Sequence, residues 1–108
     1  MDRPDLSVTV RRAPTETVLS LAGEIDMSTV QRLATTVDEV LAEPPARVVL
    51  DMAGVTFCDS QGLGTLVVLS RRATMAQSYL VLMNVGAFLI RVLDITGLRG
   101  ALMIQENA

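Results

Sequence analysis

"GLGTLVVLSRRATM", residues 62–75, can be read two ways, and the fold turns on which is right. Its centre, "TLVVL", is apolar and β-branched, which suits a buried strand. Yet Leu63, Leu66, Val67, Ser70 and Ala73 recur at helical spacing. The neighbours decide. Upstream, "RVVLDM" (47–52) is a continuous apolar run that closes on an acid, the pattern of a strand buried on both faces. Downstream, "YLVLMN" (79–84) repeats it. Parallel strands need a crossover between them, so residues 62–75 are predicted to be a helix.

The same alternation continues in both directions. In "GAFLIRVLDITG" (86–97), Leu89, Val92, Leu93 and Thr96 share one helical face, and Gly97 is a natural stop. "ALMI" (101–104) then reads as a last strand. Toward the N-terminus, "EIDMSTVQRLATTVDEVLAEPP" (24–45) carries Val30, Leu33, Ala34, Val37, Val40 and Leu41 on one stripe. Ser28 with Gln31 has the spacing of a capping box, and Pro44-Pro45 ends the helix. "LSVTVR" (6–11) and "TVLSLAG" (17–23) flank the turn "RAPTE" and read as a strand pair. The predicted order is β-β-α-β-α-β-α-β. It describes one α/β domain over residues 1–108, with a mainly parallel mixed sheet and helices packed against it.

Composition narrows the function. Half of the residues are hydrophobic, but charges such as Arg91 interrupt the apolar runs, and none reaches the ~18 residues of a bilayer span. The N-terminal "MDRPDLSV" lacks the charged-then-apolar pattern of a signal peptide, so a cytoplasmic protein without membrane insertion is expected. Cys58 is the single cysteine, which excludes an intrachain disulfide and fits a reducing compartment. The formal net charge is -3, without a basic stripe and with only three scattered aromatics, which argues against a nucleic acid partner. There is no histidine and no lysine.

Those absences remove several enzymes. Asp51, closing "VVLD", is placed like a phosphoacceptor aspartate, but such a site needs a lysine and acids after the first strand, where Arg11 and Arg12 stand. Asp51 is instead expected to bond loop N–H groups. Ser60, two residues before Gly62, looks like part of a hydrolase nucleophile elbow, yet position 58 is cysteine and no histidine can act as base. No metal-ligand cluster, cofactor motif or phosphate loop is present.

Two readings of "FCDSQGLG" (57–64) remain. In one, Asp59 or Ser60 simply caps the helix. In the other, Ser60 is handled by another protein. Gly62 and Gly64 support the second, since each costs about 1 kcal/mol of helix propensity that a cap does not require. On this reading both glycines bare the backbone so that a macromolecule can approach Ser60. A helix N-terminus also tolerates a phosphate. Cys58 reads as a small buried hydrophobe, with a redox-active thiol as the alternative. Glu24 and Asp26, in "GEID", precede the first helix, where Asp26 could be only a helix-end acid.

Taken together, "GEIDMSTVQRL" (23–33), "VVLDMAGVTFCDSQGLGTL" (48–66) and "NVGAFLIRVLDITGL" (84–98) resemble the STAS domain, and within it the bacterial anti-sigma factor antagonists. The resemblance covers residues 6–104 and is most specific at D-S-x-G-L-G. It implies a non-enzymatic switch. The unphosphorylated protein binds an anti-sigma factor that is itself a serine kinase, and sigma factor is released. The kinase phosphorylates Ser60, the pair separates, and a PP2C-type phosphatase resets it. By the same resemblance Asp26 lies beside Ser60 on the docking surface, and Glu24, Asp59, Gly62 and Leu63 complete the patch. The family usually has a helix after the last strand, where this sequence stops at "IQENA", and Gly86 and Cys58 also depart from the usual residues. Other STAS roles remain as alternatives: an accessory subunit of a membrane transporter or lipid-transport complex, or a component of a stress-sensing scaffold.

Overall fold

The computed structural model describes residues 5–105. The chain runs β1 (Leu6–Arg12), β2 (Glu16–Ile25), α1 (Val30–Leu41), β3 (Arg47–Cys58), α2 (Ser60–Met75), β4 (Tyr79–Met83), α3 (Ala87–Thr96), a short 3-10 turn (Arg99–Ala101) and β5 (Met103–Gln105). The five strands lie side by side in chain order. Only β1 is antiparallel to its neighbour. This is the predicted order, and residues 62–75 are helical.

Strand order fixes where the helices go. Each parallel strand is added on the same side of the last, so right-handed crossovers place all three helices on one face of the sheet. Leu19 and Leu21 of β2, Val48 and Leu50 of β3, and Leu80 and Leu82 of β4 join Leu33, Val37, Leu66, Leu69 and Leu93 of the helices in one core. The alternate residues Val18, Val49 and Val81 are paired across the sheet on its other face. All the parallel strands therefore end at one edge, where the β2–α1, β3–α2 and β4–α3 connections gather.

Three local expectations are corrected. First, β3 does not end at Met52 but runs to Cys58, because the ten-residue β2 keeps pairing with it up to Ile25↔Cys58. The register slips between Ser20 and Ala22 and again between Gly23 and Glu24 to allow this. Second, the last strand is shifted to Met103–Gln105 by the 3-10 turn before it. Third, the Ser28–Gln31 capping box does not form. The helix begins at Val30 with Thr29 as its N-cap, and no side chain caps it. Gly97 ends α3 in the left-handed region (φ 77°), as expected. Among the described residues no helix is long and apolar enough to cross a membrane.

Candidate docking site around Ser60

The site is built where β2 and β3 end together. The Asp59 N–H donates to the Ile25 carbonyl (3.1 Å), which ties the start of α2 to the end of β2. Asp59 sits in extended backbone as the N-cap of α2, and its Oδ1 accepts the Gly62 N–H at 2.8 Å. The acid is thus the cap. Ser60, the first helical residue, is exposed, and its hydroxyl has no partner among the described residues. The N–H groups of Ser60 and Gln61 likewise meet no acceptor among them. A phosphate on Ser60 would find these donors and the positive end of the helix beside it.

The two glycines do different things. Gly62 is buried, and a Cβ there would lie 2.5 Å from the Ile25 carbonyl oxygen and 2.8 Å from Cys58 Sγ. Its role is close packing of α2 on the ends of β2 and β3, not access, which corrects the reading that both glycines bare the backbone. Gly64 does fit that reading. It is exposed, and a Cβ there would meet nothing within 4 Å. With Ser60, Gln61, Val30, Gln31 and Ala34 it lines a groove of about 390 Å³ between α1 and α2.

The remaining expected residues divide by burial. Leu63 is only 5% exposed and packs in the core, so neither it nor Gly62 offers a surface to a partner. Glu24 is exposed and Asp26 half-buried, and both stand just before α1. Since Asp59 N–H bonds Ile25, Asp26 and Ser60 each directly follow a residue of that contact. Asp26 Oδ1 accepts the Ser28 hydroxyl (2.7 Å) and the Ser28 N–H (2.9 Å). The Ser28 hydroxyl, more than the slight opposing effect of burial, holds the Asp26 carboxyl below its ordinary range.

Cys58 behaves as the small hydrophobe it was read to be. Burial first, and the Asp59 charge second, push its thiol up to about 11, so it is protonated near neutral pH. Asp51 is a loop fastener: its Oδ1 accepts the Ala53 N–H and the Asn84 Nδ2–H, both at 3.0 Å. Two features escaped the sequence reading. Thr29 is buried, donating its hydroxyl to the Glu24 carbonyl (2.8 Å) and accepting the Asp26 N–H (2.9 Å). Phe57 and Phe88 are exposed on the same edge, 48% and 76%. Phe88 could have been found, because it falls off the Leu89–Val92–Leu93 face of α3.

Known proteins share this architecture. The model of the family described as "Mlab, STAS domain" matches residues 8–105. The anti-sigma-F factor antagonist RsfB of Mycobacterium tuberculosis (strain CDC 1551 / Oshkosh) is 38% identical over 73 residues, 67% of this chain and 60% of that protein. The chain thus spans less than two thirds of that relative's length. An anti-sigma factor antagonist from Mycobacterium paratuberculosis superposes with a TM-score of 0.83 at 26% identity, covering 99% of this chain and 92% of the other. The Bacillus cell fate determinant SpoIIAA, in its phosphorylated form, shares the fold with a TM-score of 0.70 at 17% identity, over 94% of this chain and 93% of its own. With its five-stranded mixed sheet, its three helices on one face and this match over residues 8–105, the chain belongs to the STAS domain family.

Proposed function

We propose that this chain is an anti-sigma factor antagonist, switched by phosphorylation of Ser60. One observation carries the reading. An exposed serine with an unbonded hydroxyl stands at the first position of α2, beside two open N–H groups, while the neighbouring acid is occupied as the cap. The names of two relatives, RsfB and the M. paratuberculosis antagonist, agree with it, and SpoIIAA is a protein of this fold that exists in a phosphorylated form.

The chain acts as a substrate rather than as a catalyst. Unphosphorylated, it holds the anti-sigma factor in the cytoplasm and leaves sigma factor free. The anti-sigma factor is a serine kinase, and Ser60 Oγ attacks the γ-phosphorus of its ATP. The hydroxyl proton passes to a base on the kinase and ADP leaves. The new phosphoserine carries about -1.5 to -2 charges. The first-turn N–H groups stabilise it within this chain, so the domain stays folded. The nucleotide phosphates on the kinase side do not. Two charges against one at ~6 Å, in an effective dielectric of ~20, repel by roughly 5 kcal/mol before screening. Half of that weakens binding about a hundredfold. A PP2C-type phosphatase restores the binding form.

The test uses the purified chain, an anti-sigma factor kinase from the same genome and labelled ATP. Label should enter the wild type and not Ser60→Ala, which should stay bound to the kinase. Ser60→Asp should bind about a hundredfold more weakly and melt within a few degrees of wild type. Label that persists in Ser60→Ala, unfolding of Ser60→Asp, or recovery of a transporter subunit with no kinase would overturn the proposal.

A further inference from the structure

The Ser60 surface does not stop at the α1–α2 groove. On the other side of the Asp59–Ser60 turn, the two phenylalanines of the chain are both exposed, 48% for Phe57 and 76% for Phe88. They come from different elements, the end of β3 and the first turn of α3, yet they line one small hollow of about 80 Å³. Leu89 and Cys58 also line it, and Gly86, where a Cβ would meet nothing within 4 Å, leaves it open. Asp51 fastens one wall, since its bond to Asn84 holds the turn that leads into Gly86 and Phe88. The exposed parts of the two rings gain nothing for the monomer, whereas an aromatic buried at an interface dominates its energetics.

The rim is acidic. Glu24 is the cross-strand neighbour of Phe57 and is exposed, and Asp26 and Asp59 follow on the same edge. Among the described residues the ion pairs are Arg47–Glu16, Arg72–Asp38 and Arg99–Asp94, and none of them neutralises these three acids.

Resting on the reading of Ser60 as the docking centre for an anti-sigma factor kinase, we infer that Phe57 and Phe88 form a second anchor. It takes an apolar side chain of the kinase, next to a lysine or arginine that faces Glu24. The two halves divide the labour. The nucleotide lies opposite Ser60 and reads its phosphorylation state. The aromatic hollow, off to one side, sets which kinase is bound and for how long. Apolar anchors in a desolvated pocket act on dissociation, whereas rim charges act on the association rate and its salt dependence.

The experiment measures association and dissociation rates on the immobilised, ADP-loaded kinase of the preceding test. Phe88→Ala and Phe57→Ala should each weaken binding about 10- to 100-fold, almost wholly by faster dissociation. Glu24→Gln should slow association and flatten its salt dependence while leaving dissociation nearly unchanged. Ile95→Ala, another exposed apolar residue of α3, 77% exposed and two turns further on, should bind like wild type. If Phe57→Ala melts early, Phe57→Leu and the more exposed Phe88→Ala decide. Wild-type dissociation from both Phe88→Ala and Phe57→Leu, with Ser60→Asp still released, would overturn the anchor and leave the Ser60 switch standing. A kinase that fails to bind the wild type at all would overturn both.

Discussion

Two helices begin at the same edge of the sheet, each after a parallel strand and each with an acid beside a serine. At α1 the acid is Asp26 and the serine Ser28, two residues later. The carboxylate accepts both the N–H and the hydroxyl of Ser28, before the helix begins, and the helix starts at Val30 without a side-chain cap. At α2 the acid is Asp59 and the serine follows at once. Here the carboxylate reaches into the helix itself, to the Gly62 N–H, and the Ser60 hydroxyl has no partner among the described residues. One residue of spacing separates a serine consumed by a turn from a serine offered to solvent. The same acid–serine chemistry yields a structural turn at α1 and, at α2, the exposed serine proposed above as the modification site.

The strongest way to break this comparison is to disturb the packing that sets the α2 turn. In Gly62→Ala the new methyl meets the Ile25 carbonyl, which cannot withdraw because it accepts the Asp59 N–H. A loss of about 3 kcal/mol of stability is expected, near the upper end for overpacking. Gly64→Ala, two residues on, should instead gain up to about 1 kcal/mol, because its methyl enters open space and alanine favours the helix. Thermal unfolding of the pair reads both signs. Equal melting temperatures would mean that Gly62 is as free as Gly64.

These glycines also mark how far the sequence alone could be followed. Periodicity located the strands and helices, because each segment's apolar spacing is local and the β-α alternation left 62–75 one consistent role. Sites that depend on nearby residues were legible too: a cap at Asp59 or Ser60, Asp51 as a loop acceptor, Gly97 as a stop. What failed was non-local. Gly62 and Gly64 look alike in the chain, and what distinguishes them is chiefly the approach of Ile25, 37 positions earlier by residue number. The extension of β3 through "AGVTFC" carries no apolar run and exists because β2 continues to pair with it. The capping box failed because Asp26 competed for Ser28, a partner that the Ser28–Gln31 spacing ignores.

A smaller effect tests the cap itself. Asp59→Ala removes the acceptor of the Gly62 N–H and should cost about 1 kcal/mol of stability, while Asp59→Asn, which keeps an oxygen there, should cost less. Both variants should leave the α1 turn, and hence the Asp26–Ser28 bonds, as they are. Denaturant unfolding of the two gives the order. An Asp59→Ala variant as stable as wild type would show that the forward-reaching acid does not hold the α2 start.

The smallest effect is confined to acid and concerns the α1 turn alone. The Asp26 carboxyl is held below its ordinary value, chiefly by the Ser28 hydroxyl, so it is more readily ionised in the folded protein than in the unfolded chain. The sign follows from linkage: its stabilising contribution is fully present above the unfolded carboxylate value of about 3.9. It is lost as pH falls through the lower, folded value. Asp26→Asn removes the ionisation but keeps an amide oxygen for the Ser28 donors, so the turn can persist without its charge. The stability difference between wild type and Asp26→Asn should therefore be constant from pH 7 to pH 5 and shrink below about pH 4. Urea unfolding at a series of pH values measures it. A difference that stays constant to the lowest pH at which both proteins fold would show that the Asp26–Ser28 turn draws nothing from the carboxylate charge.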